Sequence, residues 1–310
     1  MHIRDKNTAF EFHAATCGAC GGSRSRVLGK RGGEAHRDGV GVLTTIVQCV
    51  ECSHMFPDPM PMPAKGYGDL YEAPAEYFQG HDIERKKQMA LNKLQEVERM
   101  LEGRGRYLDV GCGRGEALWA ARERGWECEG VDPSPSYLEW GRENLGVEGR
   151  LGTLEEAQFP RDHFDAVTMG SVLEHVYEPY SMLSEVQRVL KPGGVLWFDV
   201  PNESSLYTRI GNYYMRILGR DWVVNLAPTF PPYHVQGFNP RSVKTLLGRV
   251  GLEVERLQVW GYVWPPAGAS SIRKRLEYVA AQTVNWIGNH FGAGFYMDVW
   301  ARKPLRSFGN

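Results

Sequence analysis

Residues 107–115, Tyr-Leu-Asp-Val-Gly-Cys-Gly-Arg-Gly, hold the types and spacing that point most directly to chemistry. Tyr107, Leu108 and Val110 read as a short buried strand running into a glycine-rich turn, and Glu116, Ala117, Leu118, Ala120 and Ala121 read as the helix that follows. Glycines at 111, 113 and 115 allow a tight turn and let a ligand lie against bare main chain, with a helix N-terminus behind it. Asp132 closes the next apolar stretch, Cys128 to Val131, 21 residues after Gly111, where a carboxylate can take both hydroxyls of an adenosyl ribose. A dinucleotide fingerprint would place its third glycine at 116, and Glu116 stands there instead. The G-x-G-x-G spacing, with Asp109 at the strand end, repels a pyrophosphate and suits a ligand carrying an ammonium and a sulfonium.

A second constellation is metal-like. Cys17, Cys20, Cys49 and Cys52 form two C-x2-C knuckles with 28 residues between them, enough to supply four thiolates to a structural zinc ion. The alternatives are two disulfides or a redox pair; the first needs an oxidising compartment and the second a strand-to-helix setting that neither pair has. Cys112 and Cys128 read as small buried hydrophobes.

From Leu108 to about Asn202 the chain resembles the core of a class I S-adenosylmethionine-dependent methyltransferase. The resemblance is carried by LDVGCGRG, GVDPS, FDAVTMGSVLEHV and LKPGGVLWFDVPN, in that order. It implies a Rossmann-like, doubly wound α/β fold with a seven-stranded sheet, and S-adenosylmethionine as cofactor. By the same resemblance, cofactor contacts fall to Asp109, Gly111, Cys112 and Gly113, to Asp132 and Pro133, to Thr153 and Leu154 after the third strand, and to Gly170 and Ser171 after the fourth. Thr153 departs from the acidic residue usual at its place, which leaves the Leu154 backbone to meet the adenine.

The double knuckle, a tract with prolines at 57, 59, 61 and 63, and then Leu70-Tyr71 and Tyr77-Phe78 are similar to a zinc-ribbon-bearing subgroup of that family. This subgroup is frequent in sugar, surface-glycan and natural-product pathways, which implies O- or C-methylation of a small-molecule or glycan-type acceptor. Tyr77 then reaches the methionine end of the pocket, or else packs with Phe78 on the core. For a general base the candidates are His175, in Leu-Glu-His, and His234, after Pro231-Pro232-Tyr233. Leu-Glu-His belongs to the general family pattern and suits a scaffold role. His234, beside Tyr233, resembles the base or substrate-anchoring histidine of several glycan and natural-product relatives.

The elements that must position these groups follow from periodicity. Leu91, Leu94, Val97 and Leu101 predict a covering helix stopped by Gly103. Strands at 106–110, 127–131, 147–151, 164–169 and 195–200 alternate with helices at 115–125, 134–145 and 179–190, which is the pattern of a parallel sheet. Lys191-Pro192-Gly193-Gly194 reads as a stop and turn, and Met55 to Pro63 as an extended linker. Three regions result: 1–63, a zinc-ribbon-like domain with its proline tract; 64–105, an aromatic segment and the covering helix; and 106–310, the methyltransferase-like domain. Insertions at 201–239 and 262–293 interrupt the last region. Tyr207, Tyr213, Tyr214 and Trp222 make the first an expected pocket roof or small core of its own, and Asn239 with Pro240 opens a helix over 240–250. A strand at 252–261 and a last one at 295–301 complete the sheet. The second insertion holds an amphipathic helix, 273–287, with a basic start; it suits contact with a membrane surface, or packing on the lid or a second subunit.

At 310 residues with 36 basic and 37 acidic side chains, net charge −1, the chain carries no overall bias toward nucleic acid. No apolar run approaches a membrane span and no leader is seen, so a cytoplasmic enzyme is expected. Two other readings stay open: an RNA methyltransferase reading through a ribbon made basic by Arg24, Arg26, Lys30, Arg31 and Arg37, and a non-catalytic interaction module that keeps the fold.

Overall fold

A computed structural model of the chain describes residues 10–64, 83–227, 233–261 and 272–305. The chain divides into two compact units, one drawn from Met1–Met62, Asp199–Thr245 and Leu257–Asp298, the other from Pro63–Phe198, Leu246–Arg256 and Val299–Asn310.

The first unit begins with β1 (Phe10–His13), β2 (Ser25–Arg31), β3 (Thr44–Cys49), β4 (Met55–Pro57) and β5 (Met60–Pro63). Strands β2, β3 and β4 form an antiparallel sheet with a register shift at Val27/Gly29, and β1 pairs with β5. The extended 55–63 tract is therefore paired chain, not a linker: Met55, Phe56 and Met60 are buried, and the Asp58 amide donates to Thr45 O at 2.9 Å. Apolar side chains between the prolines give this tract something to bury. The 201–239 stretch contributes to the same unit's packing, with Val223 and Leu226 clustered with Ile46 and Met55. Main-chain pairs close it: Lys30 N to Asp221 O at 2.7 Å, Val223 N to Lys30 O at 3.0 Å, and Gly237 N to Met55 O at 2.7 Å.

The remaining elements run α1 (Ile83–Leu101), β6 (Arg106–Val110), α2 (Glu116–Glu123), β7 (Glu127–Asp132), α3 (Pro135–Leu145), β8 (Arg150–Leu151), β9 (Phe164–Gly170), a 3-10 turn at Leu173–His175, α4 (Pro179–Val189), β10 (Leu190–Pro201), α5 (Leu206–Ile217), α6 (Pro240–Val250), β11 (Glu253–Trp260), α7 (Ile272–His290) and β12 (Tyr296–Arg302). One sheet has the order β11-β12-β10-β9-β6-β7-β8, with β6 parallel to both β7 and β9, and β7 parallel to β8. The expected seven-stranded, doubly wound sheet is thus present. From β6 the chain steps outward through β7 to β8, then returns to β9 on the other side, which makes the C-terminal ends of β6 and β9 the switch point where such sheets bind ligands.

Two boundaries differ from the sequence reading. Strand β8 has two residues, not five. Lys191-Pro192-Gly193-Gly194 is strand, not turn: Gly193 takes φ 83, and Lys303 pairs with both glycines, accepting from Gly193 N at 2.8 Å and donating to Gly194 O at 2.9 Å. A long-range main-chain partner outweighs the local turn preference.

Helix α1 buries Leu94 and Val97 in a core shared with Tyr107, Leu118, Trp126 and Trp300. Glu98 fastens its C-terminal half. The carboxylate accepts from Arg124 Nε at 2.8 Å, Arg104 Nε at 2.9 Å and Trp126 Nε1 at 3.0 Å, and is 12% exposed. Burial opposes its charge, but Arg124, Arg104 and Trp126 outweigh burial and hold the carboxyl down at about 2. The stability it contributes is present above the ordinary carboxylate value and lost as pH falls toward about 2. Glu98→Ala is expected to lower unfolding free energy at neutral pH by about 1–3 kcal/mol in urea titrations, with the deficit shrinking in acid.

Candidate functional site

The β6 and β9 register sets Asp109 opposite Thr168, and Tyr107 lies two residues back on the same face. A chain of hydrogen bonds follows. The Tyr107 hydroxyl lies 2.5 Å from Thr168 Oγ1, which donates to Asp109 Oδ1 at 2.6 Å. Asp109 is 6% exposed. Burial pushes its carboxyl up to about 7, with the nearby Asp132 and Glu116 carboxylates adding to the rise and the Thr168 hydrogen bond opposing it. A ligand cation set against it would restore the charged form.

The glycine loop follows. Gly111 has φ 68, and a Cβ there would lie 2.5 Å from Val172 Cγ2. Gly113 has φ 53 but nothing within 4 Å of its Cβ position, so the main chain opens there onto free space. Asp132 pins the loop from the end of β7: Oδ2 accepts from Gly113 N at 2.8 Å and Oδ1 from Ser134 N at 2.8 Å, leaving each oxygen a further lone pair. Pro133 follows it directly. Burial pushes the Asp132 carboxyl up and these two amides oppose the shift. Asp132 O also accepts from Gly152 N at 3.0 Å, which ties the end of β8 to the same place. Thr153 is committed to a local cap, accepting from Glu156 N at 3.3 Å and donating its own amide to Glu156 Oε2 at 2.8 Å, while the Leu154 side chain is fully buried. Gly170 ends β9, and Ser171 adopts φ 52, a conformation uncommon outside glycine. Cys112 is buried, as expected of a small hydrophobe, and burial raises its thiol.

The four knuckle cysteines converge in the first unit. Their sulfurs all lie within 4.8 Å of one another, with Cys17 to Cys52 and Cys20 to Cys49 both at 3.4 Å. No disulfide links them. A tetrahedron with metal–sulfur bonds of ~2.3 Å has sulfur–sulfur edges of ~3.8 Å, so the donor set fits zinc. Tight turns aim the thiols inward: Gly21 N donates to Cys17 O at 2.7 Å and Ser53 N to Cys49 O at 3.0 Å. Burial pushes the Cys20 thiol up to about 11; the Cys52 hydrogen bond and then burial raise Cys17 further, a cost that a dication would remove.

A protein-family profile described as "Methyltransferase domain" matches residues 81–257, which include the glycine loop, Asp132 and β9. The chain belongs to the class I S-adenosylmethionine-dependent methyltransferases. A "Ubiquinone biosynthesis O-methyltransferase" of Xanthomonas axonopodis pv. citri (strain 306) is 27% identical to this methyltransferase over 222 residues, 68% of the chain and 91% of that protein. A protein of the same name from Alkalilimnicola ehrlichii is 37% identical over 134 residues, 41% of the chain and 52% of its own length. Among solved structures, a SAM dependent methyltransferase from Archaeoglobus fulgidus aligns at a TM-score of 0.48 with 22% identity, covering 76% of this chain and all of that one.

In the methyltransferase His175 belongs to the second unit, and Tyr233 and His234 to the first. His175 ends the 3-10 turn after β9, with Nε2 3.9 Å from Glu174 Oε1; both side chains are largely buried. His234 belongs to the first unit, its amide donating to Ala227 O at 3.4 Å. Tyr233 is 4% exposed and packs edge-on against Phe10, with ring centroids 5.6 Å apart. Tyr77 lies outside the described residues. Of the two expectations for the tyrosines of 201–239, a core of their own does not hold for Tyr213 and Tyr214, which are 66% and 55% exposed. The inward side of their helix is taken by Thr208, Gly211 and Asn212.

The sequence reading passed over three residues. Tyr107 read as a buried strand residue and Thr168 fell unremarked within the strand at 164–169, yet together they support Asp109. Glu203, two residues past β10, is buried; it accepts from Asn225 Nδ2 at 2.9 Å, and burial raises its carboxyl. An acidic residue two positions after β10 was the available signal.

Asp109 generates a pH prediction. Its folded value lies above the ordinary 3.8, so the stability it contributes is full below that value and is lost as pH rises through about 7. Were Asp109 to receive the cationic end of the ligand, cofactor affinity would move the other way, because only the charged carboxylate attracts it. Calorimetry with S-adenosylmethionine should show binding about tenfold tighter at about pH 8 than at about pH 6, and a nearly flat profile for Asp109→Asn.

Proposed function

We propose that this methyltransferase O-methylates a small organic acceptor, with C-methylation of a sugar or natural product served by the same residues. Likeness over 68% of the chain to a protein named ubiquinone biosynthesis O-methyltransferase supports transfer to oxygen. When bound, S-adenosylmethionine supplies an electrophilic methyl group on sulfur. In this reading Asp132 and Pro133 hold the ribose side, Thr153 and Leu154 the adenine, and the Gly111, Cys112 and Gly113 main chain the middle of the cofactor. Asp109, with the Gly170 and Ser171 carbonyls, takes the ammonium. The protein's remaining task is to align the acceptor, exclude water and remove its proton.

His234 is the proposed base. One observation carries this: from Tyr233 to Asn239 every side chain is buried except His234, so its imidazole is not part of the core its neighbours fill. An imidazole is also near its working pKa at neutral pH. His175, in its largely buried turn, has a supporting role in this reading.

The RNA-methyltransferase alternative draws less support. The basic residues near the knuckles are matched locally: Arg24 with Glu51 at 3.7 Å, Lys30 with Asp221 at 3.6 Å and Arg37 with Asp38 at 3.9 Å. Arg26 is held by Gln48, and Arg31 by Leu226 O. We further propose that Cys17, Cys20, Cys49 and Cys52 bind one structural zinc ion within a 1–63 domain, which fits a reducing, cytoplasmic setting.

With phenolic, sugar and carbon-acid acceptors screened by S-adenosylhomocysteine release, His234→Ala is expected to cut turnover by about 100-fold or more while calorimetric cofactor affinity stays within error. His175→Ala should instead weaken cofactor binding or lower the melting temperature. A His234→Ala enzyme of unaltered turnover would pass the base role to Tyr77, Tyr233 or His175.

For the metal, elemental analysis of protein purified without chelator should find one zinc per chain. Cys49→Ser should lose it along with several degrees of melting temperature, since metal binding energy in such knuckles is folding energy.

A further inference from the structure

Helix α5 (Leu206–Ile217) is seated by its polar side. Thr208 is 2% exposed and its hydroxyl lies 2.9 Å from Ser205 O and 3.0 Å from Glu203 O. Gly211 sits so close to Val224 that a Cβ would approach Cγ2 to 2.7 Å. Asn212 donates to Asn225 Oδ1 at 2.6 Å and accepts from Val224 N at 2.8 Å.

The opposite side is apolar and faces water. Tyr207, Ile210, Tyr214 and Ile217 recur at steps of three and four and are 43%, 46%, 55% and 65% exposed; Tyr213 beside them is 66% exposed. A helix of a water-soluble domain buries its apolar stripe, and this one has the sense reversed. The neighbouring helix α7 (Ile272–His290), which packs against α5, repeats the pattern: Asn285 is buried, while Leu276, Val279 and Trp286 are 65%, 58% and 63% exposed.

Charge tells what covers the stripe. Residues 206–220 hold Arg209, Arg216 and Arg220 and no acidic residue. At helical spacing Arg209 and Arg216 flank Tyr213, and both are exposed. A second copy of this chain meeting α5 with α5 on a two-fold axis would bring arginines to the contact without a carboxylate on either helix. A lipid surface satisfies both features at once: apolar side chains enter the acyl boundary, tyrosine and tryptophan rings sit at headgroup level, and the bordering arginines reach lipid phosphates. Among the described residues no helix is long and apolar enough to cross a membrane, so the contact is with its surface.

We propose that the outer faces of α5 and α7 form a membrane-docking surface that takes anionic phospholipid. This does not rest on the choice of acceptor or base, since none of its residues belongs to the cofactor loop or the proposed catalytic set.

Flotation of the full chain with phosphatidylcholine vesicles, with and without phosphatidylglycerol, tests it. Wild-type protein is expected to float with the anionic vesicles, less with the neutral ones, and less as salt rises. The exposed double variant Tyr213→Ser/Ile217→Ser should bind about tenfold more weakly or worse, with cofactor affinity and melting temperature unchanged. Arg209→Glu/Arg216→Glu should lose the preference for phosphatidylglycerol. The proposal is overturned if neither vesicle carries the wild type, if both variants float as it does, or if sedimentation finds a stable dimer that the apolar variant dissolves.

Discussion

Two carboxylates buried beside one glycine loop set the terms for the site. Asp109 and Asp132 are each 6% exposed, and the charges around Asp109 include Glu116. Burying like charges together is costly, and the fold meets the cost with directed donors: the Thr168 hydroxyl for one, the Gly113 and Ser134 amides for the other. Those donors arrive on different elements. Thr168 comes from β9, Gly113 from the loop and Ser134 from the start of α3, so the parallel register of β6, β7 and β9 is what makes the site tolerable. The raised Asp109 carboxyl records that the compensation is incomplete. A site in this state is predisposed toward a cationic ligand, the feature that separates a sulfonium cofactor from a dinucleotide.

The first unit follows a different logic. One apolar cluster of it joins Ile46, Met55, Val223 and Leu226 with Leu28 packed against them, and polar pairing fixes the chain nearby. His54 is fully buried, with Nε2 2.7 Å from Gln236 Oε1, and Asn239 donates to Ser53 O at 2.6 Å while capping α6 through the Arg241 and Ser242 amides. The residues just after the fourth knuckle cysteine thus hold the 233–239 segment in which His234 stands. The same unit carries α5, whose orientation follows from steric and polar fit: only Gly211 allows the close approach of Val224, and Asn212 must meet partners, so the apolar side is left outward.

What the sequence by itself determined was the part written in local pattern and spacing. The glycine loop, Asp132, the alternation of strands and helices, and the four cysteines are legible because each depends on short-range backbone conformation or fixed ligand spacing. The Asn239 cap was legible for the same reason, since its partners lie two and three residues away. The tertiary structure alone decided what depends on partners far along the chain. Tyr107 and Thr168 became supports of Asp109 because a parallel register placed them there, 61 and 59 residues apart in the pairs concerned. Lys191 to Gly194 became strand because Lys303 supplied main-chain partners, and Met55 to Pro63 became paired chain because Thr45 and Gly237 did. The tyrosines of α5 turned outward because polar and small residues on its other side found closer partners. Periodicity states that a helix has two faces; which one is buried is settled by the neighbour it meets.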